Sequence, residues 1–229
     1  RGAEKCTSCI NGQFSFENSN SNEIAPIVVD IISLLEAQIV NFDFISRLSN
    51  ASSNNIKTNL DFNLYILQKL YLDYQINLSK RKDEILDNSE NPKRDIAKLR
   101  WPHLRFLAII DELFGATGKK VNREENEVSF LLDGNAKIET HQLSSGEKVL
   151  LIILMTALTQ NQQHRIFFID EPETSLHIEW QRKLIGFIRE LNPNAQLIIA
   201  THSPAIIMEG WLDKVFEVSE LIVNKEIAQ

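Results

Sequence analysis

The sequence predicts an α/β fold, with a parallel sheet in its C-terminal part and a largely helical region before it. Two continuously apolar segments, residues 166–170 and 197–201, flank a segment whose apolar residues recur at helical spacing. Strands that are apolar throughout are typical of parallel sheets covered on both faces. A right-handed βαβ crossover then places the two strands parallel in one sheet.

The composition fits a globular protein with one large domain, or with a small domain and a helical appendage. The chain has 229 residues, of which 43% are apolar and 24% charged, and its net charge is −7. This charge does not indicate a nucleic-acid binder, although a local basic face stays open. The most apolar run, residues 149–158, is about half the roughly 20 residues that span a bilayer, so we expect no membrane association.

The start of the chain and its cysteines suggest a cytoplasmic protein that is longer than the sequence at hand. The chain begins with Arg1 rather than Met, and no signal-peptide pattern follows. Its two cysteines, Cys6 and Cys9, are too few for a secreted disulfide framework. We therefore expect a cytoplasmic fragment.

The first hundred residues divide into a polar loop and a helical region. Residues 1–22 are polar and predict a loop, whereas residues 23–100 predict mainly helix. A first helix is expected over residues 25–48, with a proline in its first turn, and residues 49–55 read as a polar linker.

A second helix is predicted over residues 60–86, where apolar side chains follow alternating steps of four and three. This seam has one gap, at Arg81, and consists of Leu60, Leu64, Leu67, Tyr71, Tyr74, Leu78 and Ile85. The favoured interpretation is a helix packed on its own domain. The alternative is an extended helical hairpin or coiled-coil arm.

Residues 101–229 predict the sheet-bearing domain. A helix over residues 102–114 precedes two strands, 127–132 and 137–142, joined by an Asp-Gly-Asn turn. Two helices alternate with the main strands, and a further strand is possible near the end. These last predictions cover residues 147–159, 176–191 and 215–218.

Polar side chains follow both main strands. Asp170 and Glu171 end the first strand, and Thr201, His202 and Ser203 end the second. Ligands of open α/β sheets bind beyond the carboxyl ends of the strands. Four apolar residues followed by Asp-Glu form the Walker B pattern, in which Asp holds Mg²⁺ through water and Glu orients or deprotonates the attacking water.

A second motif, Leu143-Ser144-Ser145-Gly146-Glu147, precedes the apolar helix. Its first serine and its glutamate have capping-box spacing, and the glycine leaves the backbone approachable. A helix N-terminus offers free N–H groups and a positive dipole end, and hence an anion site. The alternative is a plain helix cap.

Together these motifs resemble ABC-type P-loop ATPases. In order, the chain reads Leu-Ser-Ser-Gly-Glu, then Asp-Glu-Pro-Glu-Thr-Ser-Leu-His, then Thr-His-Ser-Pro, over about residues 143–204. The sequences of these motifs resemble those of the SMC, RecF and OLD-like class, and of defence-associated ATPases such as PtuA, more closely than those of membrane transporters. The resemblance implies the C-terminal half of an ABC-type nucleotide-binding domain.

The resemblance also implies roles for individual residues. The signature motif, which caps the γ-phosphate of ATP held by a second subunit, would consist of Ser144, Ser145, Gly146 and Glu147. Asp170 would serve Mg²⁺, Glu171 would be the catalytic base and His202 the switch histidine contacting the γ-phosphate. The alternatives are a helix-cap acid, a structural loop residue and a strand-end histidine, respectively.

Residues 173–177 would form the D-loop, which crosses the dimer interface in this family. Its candidate site residues are Thr174, Ser175 and His177. The family pattern often has proline after this histidine, where this chain has Ile178. An interface role and a plain helix start therefore both stay open for His177.

The Walker A motif, Gly-x-x-x-x-Gly-Lys-Ser/Thr, is missing from the sequence. The nearest stretch, Gly115-Ala-Thr-Gly118-Lys119-Lys120, has the wrong spacing, follows a predicted helix and carries Lys120 where Ser or Thr would contact Mg²⁺. It predicts a loop before the hairpin. We expect an absent N-terminal lobe to carry the P-loop, so that this chain alone does not bind ATP tightly.

A zinc site at Cys6 and Cys9 is disfavoured, because a lone Cys-x-x-Cys is weak evidence for the four thiolates that zinc prefers. The expected cofactors are ATP and Mg²⁺. The expected partners are a second copy of the chain and, less directly, DNA and an effector nuclease supplied by another polypeptide.

The leading functional prediction is an ATPase whose two copies close on two ATP molecules, coupled to DNA processing or nuclease control, plausibly in bacterial phage defence. The alternative is a nucleotide-gated scaffold that holds an effector with little turnover. A transporter subunit is disfavoured, because transporter domains usually have aspartate at the position of His177.

Overall fold

The computed structural model describes the backbone of residues 27–30 and both backbone and side chains of residues 56–133 and 136–218. Its strands are β1 Ile27–Asp30, β2 Lys119–Val121, β3 Phe130–Leu132, β4 Ala136–Ile138, β5 Arg165–Asp170 and β6 Ala195–Ala200. Its α-helices are α1 Asn59–Asn88, α2 Pro92–Gly115, α3 Ser145–Thr159, α4 Ile178–Leu191 and α5 Pro204–Ile207. Short 3₁₀ turns span Thr140–Gln142 and Leu212–Lys214.

The main sheet has the strand order β1-β5-β6, and its pairings are parallel. Strands β5 and β6 are the two strands expected from the sequence, and their parallel pairing agrees with the βαβ prediction. Asp170 lies opposite Ala200 in the register. The two strands therefore end level, and the loops that follow them begin side by side.

Strand β1 corrects the prediction of a helix over residues 25–48. Residues Ile27–Asp30 are extended and pair with β5. Ile27, Val28 and Val29 are β-branched and suit a strand better than a helix. The other residues of that predicted helix, the loop 1–22 with its two cysteines and the linker 49–55 lie outside the described residues.

A smaller antiparallel sheet, β2-β3-β4, contains the predicted hairpin and one strand that was not predicted. The hairpin strands are shorter than expected, and the predicted strand 137–142 ends in a 3₁₀ turn. Strand β2 lies where a loop was expected. Residues 215–218 do not form the predicted strand, because no described strand pairs with them.

Helices α1 and α2 form an antiparallel hairpin whose two halves differ. Near its base, the seam residues Leu64, Leu67, Tyr71 and Tyr74 of α1 are buried in the core. Beyond Leu78, most of the hairpin is exposed. The base therefore packs on its own domain, whereas the distal part is a helical hairpin with mostly exposed side chains. A coiled-coil arm stays a prediction.

Helix α3 lies at the centre of the molecule. Its residues 150–158 are almost completely buried, which explains why this segment is apolar on all sides. The side chain of Lys148, at its N-terminal end, donates to Asp61 of α1 over 2.7 Å, and both residues are buried. This ion pair joins the start of the central helix to the base of the arm.

The two faces of the main sheet are covered unequally in the described part of the chain. Phe167 and Ile169 face the core and are buried, whereas Ile198 on the opposite face is 44% exposed. Helices α3 and α4 pack with the core face, and cover on the opposite face stays a prediction. No helix in those ranges is both long and apolar enough to cross a bilayer.

Candidate functional site

The carboxyl ends of β5 and β6 bring the predicted acid and histidine together. The backbone N–H of Glu171 donates to the carbonyl of Ala200 over 2.8 Å, which ties the two strand ends to each other. His202 Nε2 lies 3.7 Å from Glu171 Oε1. The side chains of His202 and Glu171 are 91% and 55% exposed, so both can reach a ligand beyond the sheet.

The loop after β5 is tightly wound and contains two non-glycine residues in the left-handed region. Glu171 has φ 41° and Ser175 has φ 68°. The carbonyl of Glu171 accepts the N–H of Thr174 over 3.0 Å, and the carbonyl of Glu173 accepts that of Leu176 over 2.9 Å. Such strained conformations concentrate at functional sites, where the surrounding structure holds them.

One side chain at the strand ends is a candidate ligand for a magnesium ion. Asp170 is half-buried at the end of β5, and its carboxylate has no hydrogen-bond or ion-pair partner among the described residues. Carboxylate oxygens are the hard donors that Mg²⁺ prefers, usually one or two of them together with water and phosphate. Asp170 is therefore the residue that would hold the ion, with Glu171 beside it.

The start of α3 forms the predicted capping box. Ser144 Oγ accepts the N–H of Glu147 at 3.4 Å, and Glu147 Oε2 accepts the N–H of Ser144 at 2.9 Å. Ser144 and Ser145 are exposed, whereas Gly146 and Glu147 are buried. The serines therefore face solvent at a helix N-terminus, where anions are stabilised.

Glu147 is held by a lysine that the sequence did not suggest. Lys119 Nζ donates to Glu147 Oε1 over 3.0 Å, and Thr117 Oγ1 lies 3.3 Å from the same oxygen. Burial raises the pKa of Glu147, but the hydrogen bonds from Ser144 and Lys119 outweigh it and leave the pKa below its ordinary value. Lys119 belongs to the Gly-Lys-Lys stretch, which follows α2 and here contacts the first turn of α3.

Gly146 is needed because the loop after β5 passes directly over it. A Cβ atom at this position would lie 2.2 Å from the carbonyl oxygen of Ser175. That separation is far below any van der Waals contact, and the obstructing atom is backbone. The start of α3 and the loop after β5 are therefore in contact within one chain.

The candidate site residues of the predicted D-loop lie at the surface. Thr174 and Ser175 are exposed. His177 is the N-cap of α4, and its Nδ1 accepts the N–H of Glu179 at 3.4 Å. It therefore starts the helix and stays exposed, and its role at an interface remains a prediction.

Glu173 lies in the predicted D-loop, residues 173–177, but was not among its candidate site residues, and its carboxylate makes three hydrogen bonds to the turn after β6. Its carboxylate accepts hydrogen bonds from Thr201, His202 and Ser203. Burial raises the pKa of Glu173, but these hydrogen bonds outweigh it and lower the pKa below its ordinary value. The sequence feature that could have singled out Glu173 is its position in the loop that directly follows a predicted strand. We call Asp170, Glu171, Glu173 and residues 201–203 the strand-end cluster.

The chain is similar to a known family and to several known proteins. Residues 69–209 match the family model described as "AAA domain, putative AbiEii toxin, Type IV TA system". The chain is 24% identical over 127 residues to the Retron Vc95 probable ATPase of Vibrio cholerae serotype O1 biovar El Tor, covering 51% of this chain and 24% of that protein. It is 30% identical over 94 residues to the Septu protein PtuA of Bacillus thuringiensis, covering 35% of this chain and 24% of PtuA.

Among solved structures, an SmcHead bound to the C-winged helix domain of ScpA aligns with a TM-score of 0.37 and 17% identity. That alignment covers 56% of this chain and 42% of the solved chain. The matches to the two curated relatives span about a quarter of the length of each relative.

Proposed function

Because the chain belongs to the family described as "AAA domain, putative AbiEii toxin, Type IV TA system", a defence-associated family of ABC-type P-loop ATPases, we propose that it supplies the hydrolytic strand ends of an ATPase. The observation that carries this proposal is the strand-end cluster, in which Glu171 and His202 lie within 3.7 Å at the carboxyl edge of a parallel sheet. The name of the retron relative, a probable ATPase, supports this activity.

In the proposed reaction, Glu171 orients the attacking water and accepts its proton, since its carboxylate projects beyond β5 into solvent. His202 donates a hydrogen bond to the γ-phosphate and stabilises charge there. Asp170 would hold Mg²⁺, which neutralises phosphate charge when bound. The P-loop that cradles ATP is not part of this sequence, so we further propose that the isolated chain does not bind ATP tightly.

A second copy of the chain would complete the site through its signature turn, residues 143–147. The exposure of Ser144 and Ser145 supports this arrangement. The first N–H groups of an α-helix have no intrahelical partner and are available to a phosphate. Ser145→Arg should abolish the ATP-dependent dimer, measured by light scattering, without unfolding the protein, because this side chain is exposed.

The first experiment is ATP hydrolysis by the full-length protein, wild type against Glu171→Gln. We expect the rate to fall about hundredfold or more, because the amide cannot accept the proton. Glu179→Gln is the matched control, since Glu179 is an exposed carboxylate paired with Arg182 on α4. Equal rates for Glu171→Gln and wild type would refute Glu171 as the base.

The same assay with and without DNA tests the proposed coupling to DNA processing or nuclease control. Stimulation by DNA would support a DNA-engaging machine. ATP binding without hydrolysis in wild type would instead favour the nucleotide-gated scaffold, whose effector would then be sought by co-purification. A role in phage defence is proposed on the names of the relatives, and it predicts that Glu171→Gln removes protection in a plaque assay.

A further inference from the structure

The carboxylate of Glu173 bridges the loop after β5 to the turn after β6. Its Oε1 accepts the backbone N–H of His202 over 2.7 Å and that of Ser203 over 3.1 Å. Its Oε2 accepts the hydroxyl of Thr201 over 2.7 Å. One side chain therefore holds three consecutive residues of the turn, and the middle one is the candidate switch histidine.

His202 depends on this bridge because its own side chain does not pack. The imidazole is 91% exposed, and within the described part of the chain its one ion-pair contact is with Glu171 at 3.7 Å. The position of the ring is therefore set by its backbone. Charge-assisted hydrogen bonds to a carboxylate are roughly twice as strong as neutral ones, so the bridge is suited to fixing that backbone.

Gln181 of α4 closes a second bridge between the same two segments. Its Nε2 donates to the carbonyl of Leu176 over 2.9 Å, and its Oε1 accepts the hydroxyl of Ser203 over 2.6 Å. Both ends of the loop after β5 are thus fastened to the turn that carries His202. Glu171 and Glu173 belong to that same loop, so its position and that of His202 are linked.

We propose that Glu173 is a positioning residue that sets His202 at its working distance from Glu171 during ATP hydrolysis. This inference rests on the proposed function. Glu173 does not need to contact the nucleotide, because all three of its side-chain contacts are to the turn. Its effect on hydrolysis should therefore pass through His202.

The first test is steady-state kinetics of the full-length protein. Glu173→Ala should lower kcat by about hundredfold, the loss expected when a catalytic group is displaced by about 1 Å. The KM for ATP should change by no more than about twofold, since the P-loop that binds ATP is elsewhere. Glu173→Gln should give an intermediate kcat, because its amide oxygen still accepts from the two backbone N–H groups without the charge.

A double-mutant cycle with His202→Ala separates positioning from general damage. In the His202→Ala background, adding Glu173→Ala should lower kcat by no more than about twofold, because the group it positions is already gone. The proposal would be overturned if the loss of kcat in the double variant equalled the product of the two single losses. An unchanged kcat in the single Glu173→Ala variant would also overturn it. If Glu173→Ala fails to fold, by circular dichroism, the same cycle with Glu173→Gln decides.

Hydrogen–deuterium exchange without nucleotide gives a readout that does not depend on hydrolysis. The amides of His202 and Ser203 should exchange about tenfold faster in Glu173→Gln than in wild type or the Glu179→Gln control. If the wild type hydrolyses ATP but exchange at these amides is unchanged in Glu173→Gln, the positioning role of Glu173 is refuted and the proposed function is not. Absence of hydrolysis in wild type would refute the proposed function, and with it a role for Glu173 in hydrolysis, even if exchange changed.

Discussion

Two carboxylates near the candidate site differ in what surrounds them. Glu147, at the start of α3, is 4% exposed and contacts Ser144, Lys119 and Thr117. Glu171, at the end of β5, is 55% exposed and has His202 at 3.7 Å. The carboxylate of Glu147 is occupied by hydrogen bonds and stabilises the fold, whereas the exposed carboxylate of Glu171 is accessible and can accept a proton. The comparison predicts large stability effects around α3 and small ones at the strand ends.

The largest loss of stability is expected for Lys148→Met at the start of α3. This change leaves the buried Asp61 without its ion-pair partner, and breaking such a pair costs about 3–5 kcal/mol. Lys183→Met is the matched control, because Lys183 pairs with Glu112 at the surface and exposed pairs contribute about 1 kcal/mol or less. The measurement is the free energy of unfolding in urea. Equal losses would contradict the burial argument.

A loss of about 1–3 kcal/mol is expected for Gly146→Ala, because the new methyl group collides with the carbonyl of Ser175. Gly186→Ala is the control, since nothing lies within 4 Å of its Cβ position in α4. That control should be neutral or stabilising by about 0.5–1 kcal/mol. The measurement is thermal unfolding of both variants. Wild-type stability of Gly146→Ala would mean that the loop after β5 moves away from the new methyl group at little cost.

A pH-dependent loss is expected for Glu147→Gln. The pKa of Glu147 is lowered from 4.5 in the folded protein, so the ionised carboxylate stabilises the fold above the unfolded pKa. This stabilisation disappears as the pH falls through the folded pKa. The stability difference between wild type and Glu147→Gln should therefore be full at pH 7 and shrink below about pH 4.5. Urea titrations at pH 7, 5 and 4 measure it, and a difference that grows at low pH would contradict the sign.

The smallest effect on stability is expected for His202→Ala. An imidazole that is 91% exposed contributes little packing, so unfolding free energy should change by less than about 0.5 kcal/mol. ATP hydrolysis by the full-length protein should nevertheless fall sharply. A stability loss above about 1 kcal/mol would show that His202 supports the fold.

The sequence was sufficient wherever local chemistry decides the structure. The Ser-x-x-Glu spacing of Ser144 and Glu147 predicted a cap that the structure contains. The apolar runs ending in Asp170 and Ala200 predicted two parallel strands whose ends meet. These features depend on residues close in sequence, or on a crossover rule that hardly varies.

Features that depend on distant partners could not be predicted in the same way. β1 is a strand through its pairing with β5, far along the chain, although its β-branched residues were an unused signal. The ion-pair partner of Glu147 is Lys119, which lies in a Gly-Lys-Lys stretch where the sequence predicted only a loop. The three contacts of Glu173 exist only because β6 ends beside β5.

The ion pair between Lys148 and Asp61 couples the start of α3 to the first turn of α1. Helix α1 has 30 residues, so it is about 45 Å long, and the core holds it from Leu64 to Tyr74. A displacement of the N-terminus of α3 would therefore be transmitted to α1 as a rigid rod, and its exposed end lies about 40 Å from the ion pair.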